Sequence, residues 1–135
     1  MHRIPRIWVM VADRRIMRIF SKKGDSISLL AEVRPQRQEE LKMANAGSGR
    51  KAFWLHESYK EEAAFTHEIA AWLDAEAGKE SFDRLVLAAP PHMLGELRQM
   101  MKRPVCTRII AEIHKDLTKM KEAELRRELG KILWF

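Results

Sequence analysis

The sequence predicts an α/β domain in which a mixed β-sheet is covered by helices on both faces. Two continuous apolar runs, residues 7–12 and 85–89, are typical of strands that are buried on both sides. The second half of the chain then alternates helix-like and strand-like segments, which favours parallel strands with right-handed crossover connections.

The first third of the chain predicts an antiparallel meander. Its strands are expected at residues 7–12, 15–20 and 26–34, joined by a tight turn at Asp13-Arg14 and by a second turn over residues 21–25. Apolar and polar residues alternate in the third strand, which indicates a half-buried strand. Its inward positions are expected to be Ile27, Leu29, Ala31 and Val33.

Residues 35–58 are polar, contain glycines and show no sustained period, so they predict a long loop. A helix is expected from Tyr59, with Ser58 as its N-cap, Glu61 completing a capping box and Gly78 at its end. Its apolar face is predicted to include Ala64, Ile69, Trp72 and Leu73.

Pro90-Pro91 predicts the start of the next helix, and Pro104 is expected to break the chain. Residues 105–120 fit either a strand or a helix, and we favour a strand over residues 108–114. Residues 121–133 predict a last helix. The residues expected to face inward from that helix are Leu125, Leu129 and Ile132.

These elements predict a ribonuclease H-like three-layer domain. The expected sheet has five strands in the order 3-2-1-4-5, with strand 2 antiparallel to the others, and three main helices. No linker or internal repeat divides the chain, so residues 1–135 are expected to form a single domain.

Composition restricts the class of protein further. A length of 135 residues with 46% hydrophobic residues suits one compact domain, and no apolar run approaches the roughly 20 residues of a membrane-spanning helix. Cys106 is the only cysteine, so no internal disulfide can form. Asp13-Arg14-Arg15 interrupts the first apolar run, so this run is expected to be a strand rather than part of a signal peptide. We therefore expect a cytoplasmic protein.

A net charge of +6 and a pI of about 9.7 favour anionic partners such as RNA, DNA, phosphate groups or anionic lipid. A solvated basic surface without a specific partner is the alternative. No cofactor or metal is expected, because His114 and Asp116 alone supply too few ligands.

The carboxyl ends of strands 1, 3, 4 and 5 should meet at one edge of the sheet, where α/β folds favour ligands. We therefore predict a polar binding edge. Its candidate residues are Asp13, Arg50, Lys51, His92, Lys115, Asp116 and Thr118.

Several roles are open for these residues. His92, at a helix N-terminus, either helps to hold an anion or is an ordinary surface histidine. Asp13 either stabilises its own turn or contributes to a site. Asp116 or Thr118 either orients polar groups at the edge or caps the last helix. Gly95 is expected to permit close packing of its helix on a strand.

The loop with Arg50 and Lys51 combines glycines, cations and the aromatic residues Phe53 and Trp54. It either contacts RNA phosphates and bases, or is held against the core by its aromatic side chains.

Three segments carry a resemblance to a known family: WVMVADRRIMRIF (8–20), FDRLVLAAPPHMLGELR (82–98) and IIAEIHKDLTKM (109–120) followed by KEAELRREL. The chain resembles the bacterial host attachment protein family, named for proteins required for attachment to host cells. That family is similar to the middle domain of archaeal and eukaryotic class-1 translation release factors, which implies the same ribonuclease H-like fold.

Two departures limit what the resemblance implies about activity. Release factors carry a Gly-Gly-Gln tripeptide in the loop after strand 3, whereas this loop reads NAGSGRKAF, so release activity is not expected. Ribonuclease H enzymes need several carboxylates around two metal ions, and strand 4 ends here in Ala88-Ala89-Pro90.

The sequence thus favours a non-catalytic binding protein that contacts RNA or the ribosome through a basic loop. One alternative is a regulatory or attachment protein that acts through a protein partner or self-association, using its aromatic C-terminus at Trp134 and Phe135. A weaker alternative is a small hydrolase that uses the polar edge.

Overall fold

The computed structural model describes residues 4–35 and 51–132, with the side chains of the first helix described from residue 63 onwards. Five strands and four helices lie within these ranges. They are β1 (Ile7–Ala12), β2 (Met17–Lys23), β3 (Ser26–Val33), α1 (Lys51–Gly78), β4 (Arg84–Ala88), α2 (Pro91–Met100), α3 (Arg103–Cys106), β5 (Ile109–Ile113) and α4 (Glu122–Gly130).

The five strands form one mixed sheet in the order β3-β2-β1-β4-β5. β2 pairs antiparallel with both β1 and β3, while β4 pairs parallel with β1 and with β5. The predicted fold class, strand order and antiparallel second strand are therefore confirmed. The strand that we favoured over residues 108–114 is confirmed as β5.

Alternating residues of the central strands pack into two separate cores, one on each face of the sheet, as expected for a sheet covered on both faces. Met10 of β1 and Leu87 of β4 lie in the core beneath α1 and α2, while Val9 and Val86 lie in the core beneath α4. All four side chains are fully buried. At the start of β1, Trp8 extends the first core by stacking on Trp72 of α1, with ring centroids 5.7 Å apart.

A β-bulge in β3 overturns the prediction that four of its alternating residues share one inward face. Ile19 of β2 pairs with Ala31, but Phe20 pairs with Leu29, so Leu30 is an extra residue. One extra residue reverses the alternation of faces. Consequently Ile27 packs with the α4 core and Ala31 packs with the α1 core, while Leu29 is 46% exposed.

A second bulge lies in β5, at the other edge of the sheet. Leu85 pairs with Ile109 and Val86 pairs with Ala111, so Ile110 has no partner and is exposed. Both bulges interrupt edge strands, where irregular pairing discourages the addition of a further strand from another chain.

Several predicted boundaries are wrong. α1 is helical from Lys51, so the predicted 35–58 loop extends too far and the expected capping box at Ser58 and Glu61 lies inside the helix. No proline or glycine interrupts the chain from Lys51 until Gly78, where the helix ends as predicted. Residues 36–50 lie outside the described ranges.

The second strand is also longer than predicted and displaced towards its C-terminus. It continues to Lys23 because the hairpin loop needs only Gly24 and Asp25, with Lys23 paired to Ser26. Gly24 has φ of +60°, which a two-residue hairpin turn of this kind requires at its first position.

Two expectations near the C-terminus are corrected as well. Pro104 does not simply break the chain, since it lies in the first turn of the short helix α3, where its missing N–H costs nothing. Ile132 is 49% exposed, because α4 ends at Gly130, before the predicted inward position. Leu125 and Leu129 are buried as predicted. No helix within the described residues is long and apolar enough to cross a membrane.

The bulge in β3 predicts very different costs for two leucine truncations. Leu87→Ala removes a fully buried side chain and should lower the free energy of unfolding by about 2–5 kcal/mol. Leu29→Ala should cost less than about 1 kcal/mol, because its side chain is half exposed. Urea unfolding of both variants measures the difference, and equal losses would mean that Leu29 faces the core after all.

Candidate functional site

The carboxyl ends of β1, β4 and β5 are adjacent, because these three strands are parallel neighbours in the sheet. β3 points in the same direction, since β1 and β3 are both antiparallel to β2. The segments that follow these strands therefore share the predicted edge. This edge, formed by residues 13–16, 89–92 and 114–119, is called the C-terminal edge below.

Asp13 holds the turn between β1 and β2. Its Oδ1 accepts hydrogen bonds from the backbone N–H groups of Arg15 at 2.7 Å and Ile16 at 2.9 Å. The Asp13 N–H closes the same turn by donating to the carbonyl of Ile16 at 3.0 Å. The predicted turn-stabilising role is confirmed, and the second carboxylate oxygen is left for another partner.

That partner is Thr118, from the loop between β5 and α4. The Thr118 hydroxyl lies 3.0 Å from Oδ2 of Asp13 and 2.6 Å from Oδ1 of Asp116, and the side chain is buried. A hydroxyl has one proton to donate, so the two carboxylates share it, and the shorter distance favours Asp116. The Thr118 N–H donates to the same Asp116 oxygen at 2.9 Å.

Arg18 of β2 completes this network. Its Nη1 donates to the carbonyl of Thr118 at 2.7 Å, while its Nε donates to Glu32 of β3 at 2.9 Å. Sequence reasoning missed Arg18, although a lone cation inside the apolar stretch IMRIF was a usable signal. We call Asp13, Arg18, Asp116 and Thr118 the Thr118 network.

The network decides between the two roles left open for Asp116 and Thr118. α4 begins at Glu122 after Lys121, and no side chain caps it through a hydrogen bond. The capping role is therefore wrong, because the chain runs on for several residues between Thr118 and the helix. Thr118 instead connects the β5–α4 loop to the β1–β2 turn, while Asp116 accepts both of its hydrogen bonds from Thr118 within its own loop.

His92 lies in the first turn of α2 with 76% of its side chain exposed. Its Nε2 is 2.7 Å from Oε1 of Glu96, one turn further along the helix. A cavity of about 210 Å³ opens beside this pair. It is lined by Arg14, Ala63, Thr66, Pro90, His92, Met93 and Glu96.

The chemistry of this cavity is mixed. Arg14, His92 and the free N–H groups of the α2 N-terminus favour an anion, whereas Glu96 opposes one. An anion-holding role for His92 accordingly stays a prediction. Gly95 is exposed, and a Cβ atom there would meet nothing within 4 Å, so the expected close packing at this glycine is wrong.

Lys115 points towards α4 rather than towards the Thr118 network. Its Nζ is 3.5 Å from Oε1 of Glu128. The hydrogen bond and charge of Lys131, joined by the charge of Lys115, hold the pKa of Glu128 below its ordinary value. Lys115 is thus partly neutralised at the C-terminal edge.

The side chains of the two remaining candidate residues are not described. Arg50 lies outside the described residues, and Lys51 is described only as the first backbone position of α1. Within the described ranges, no group of three or more His, Cys, Asp or Glu residues is arranged to hold a metal ion.

The described fold is similar to part of a known translation termination factor. The crystal structure of the archaeal translation termination factor aRF1 matches 94% of this chain with a TM-score of 0.53 and 14% sequence identity. A structure described as an archaeal protein matches 94% of the chain with a TM-score of 0.51 and 13% identity. The chain spans about 38% of the length of each of these structures.

The chain therefore has an α/β fold similar to part of aRF1. Residues 6–129 match the family model described as bacterial archaeo-eukaryotic release factor family 12, so the chain belongs to this family. A search of curated proteins found no match. The predicted similarity to release factors is confirmed, whereas neither comparison supports the host attachment family.

The Thr118 network predicts a measurable contribution to stability. Thr118→Val keeps the shape of the side chain but removes the buried hydroxyl that links two loops, so it should cost about 1–3 kcal/mol of unfolding free energy. Thr107→Val is the control, because its hydroxyl makes a 3.3 Å local bond on an exposed residue, and should change stability by less than about 0.5 kcal/mol. Similar losses in both variants would contradict a linking role for Thr118.

Proposed function

We propose that the protein binds the translation machinery without catalysing a reaction, and that the C-terminal edge contacts ribosomal RNA. The observation that carries this proposal is membership of a release factor family, in a chain with the corresponding α/β fold. The whole-protein activity of the longer structural relatives is not part of the proposal, since the chain spans only about 38% of their length.

The charge distribution at the C-terminal edge supports contact with a polyanion. Asp13 and Asp116 are engaged in hydrogen bonds within the Thr118 network. Arg15 and Lys119 flank that network, are exposed and make no ion pair with any described carboxylate. Such cations are available to phosphate groups, whose contacts supply most of the affinity of non-specific RNA binding.

The non-catalytic part of the proposal rests on two observations. The segment 45–53 lacks the Gly-Gly-Gln tripeptide, and the carboxylates of Asp13 and Asp116 accept hydrogen bonds from the turn and the loop that they stabilise. A general base or metal site would need such groups directed at a substrate.

Roles in host attachment or through a protein partner stay predictions from the sequence. The family description concerns release factors, and Trp134 and Phe135 lie outside the described residues. An attachment phenotype would also be compatible with an indirect effect through translation.

Co-sedimentation with purified ribosomes over a range of salt concentrations tests the proposal. The wild-type protein should sediment with ribosomes at low salt and be released as salt rises. Arg15→Glu/Lys119→Glu should weaken sedimentation and reduce the salt dependence by about one unit of log–log slope for each lost phosphate contact.

The matched control is Lys23→Glu/Arg127→Glu, which makes the same change in net charge at exposed cations away from the C-terminal edge. It should bind more tightly than the edge variant. Arg50→Ala/Lys51→Ala tests separately the loop contact predicted from the sequence. Absence of wild-type sedimentation at every salt concentration would remove the ribosome as the partner.

A further inference from the structure

A second basic surface lies at the opposite edge of the sheet, around the short helix α3. Residues 97–111 contain four cations and no acidic residue. Arg98 is neutralised by Glu112 at 2.7 Å. The other three, Lys102, Arg103 and Arg108, make no ion pair with a described carboxylate. We call these three residues the α3 cluster.

The backbone brings the α3 cluster together on the short segment 102–108, which contains α3 and the turn after it. The carbonyl of Lys102 accepts hydrogen bonds from Val105 and Cys106, the carbonyl of Arg103 accepts one from Thr107, and the Arg108 N–H donates to Val105. Lys102 and Arg103 are exposed, and Arg108 is half-buried. The cluster therefore presents three positive charges on a short, compact segment.

This segment is firmly attached to the rest of the domain. Val105 is fully buried in the core beneath α1, and the Lys102 N–H donates to Oδ1 of Asp74 on α1 at 2.9 Å. The Arg108 carbonyl accepts a hydrogen bond from Leu85 at 2.8 Å, next to the exposed Arg84 at the start of β4. Because the segment is already ordered, binding a ligand there costs little conformational entropy.

Among these three cations, Arg108 has the side chain whose orientation is fixed by described contacts. Its guanidinium lies 5.8 Å from the centroid of the Phe82 ring, and its Nη1 donates to the carbonyl of Pro104 at 2.6 Å. These contacts fix the plane of the side chain while leaving other N–H groups to bind a ligand. A fixed, planar guanidinium matches the geometry of a phosphate group.

We propose that the α3 cluster is a second RNA-binding surface, which contacts the phosphate backbone and uses Arg108 as its preorganised contact. Three cations on a rigid turn suit successive phosphates of a polyanion better than an isolated surface charge. Asp74 on the supporting helix accepts a hydrogen bond from the Lys102 backbone, so this carboxylate is engaged with the scaffold.

The test uses the 135-residue chain and a labelled poly(U) RNA, so that it does not depend on ribosome binding. Lys102→Glu/Arg103→Glu should lower the affinity and reduce the log–log salt slope by about one unit per lost contact. The control is again Lys23→Glu/Arg127→Glu, with the same change in net charge. Urea unfolding of both variants checks that each is folded.

Arg108→Lys tests whether poly(U) binding depends on the planar geometry of the guanidinium as well as on its charge. It keeps the positive charge but loses the planar fork, so weaker poly(U) binding is expected despite unchanged net charge. Equal binding by this variant and the wild type would overturn the role assigned to Arg108.

Cys106 supplies a local readout, since it is the only cysteine of the chain and is exposed between Arg103 and Arg108. Saturating poly(U) should slow its alkylation by iodoacetamide in the native wild-type protein. The proposal is overturned if poly(U) binds without protecting Cys106, if the control variant loses as much affinity as the α3 variant, or if poly(U) does not bind at all. If the protein still sediments with ribosomes in any of these cases, only the α3 proposal is overturned and the proposed function stands.

Discussion

The C-terminal edge depends on one buried hydroxyl, that of Thr118, which lies between two carboxylates from different parts of the chain. Asp13 follows the first strand and Thr118 lies beyond the last, so the contact between them joins segments about a hundred positions apart. Arg18 adds a third element by holding the carbonyl of Thr118. Because a buried hydroxyl is costly when unpaired, the contacts of Thr118 hold the β1–β2 turn and the β5–α4 loop together.

Positive charge is distributed differently at the two ends of the sheet. At the C-terminal edge several cations are balanced by nearby acids, as Arg18 is by Glu32 and Lys115 by Glu128. The α3 cluster has no such balance within the described residues, and its best-placed member rests on an aromatic ring. Contact with a long polyanion at both ends would let a small domain gain affinity through several modest interactions.

The sequence predicted the strand order because apolar runs and turn residues determine topology strongly. It could not predict the bulges at Leu30 and Ile110, since an extra residue in an edge strand leaves the local pattern unchanged and reverses only the side that later residues face. Asp13, Asp116 and Thr118 were recognised as edge residues, but their direct contact depends on tertiary structure. The start of α1 was misjudged because polar residues with good helix propensity resemble a loop when their period is weak.

If this protein acts by binding the translation machinery, as we propose, it should contact ribosomal RNA in cells. Ultraviolet crosslinking in living cells, followed by sequencing of the RNA attached to the protein, tests it most directly. Ribosomal RNA should dominate the crosslinked material, and crosslinked peptides should map to the C-terminal edge and to α3. Crosslinks confined to other RNAs, or no crosslinked RNA above the level of an untagged control, would contradict the claim.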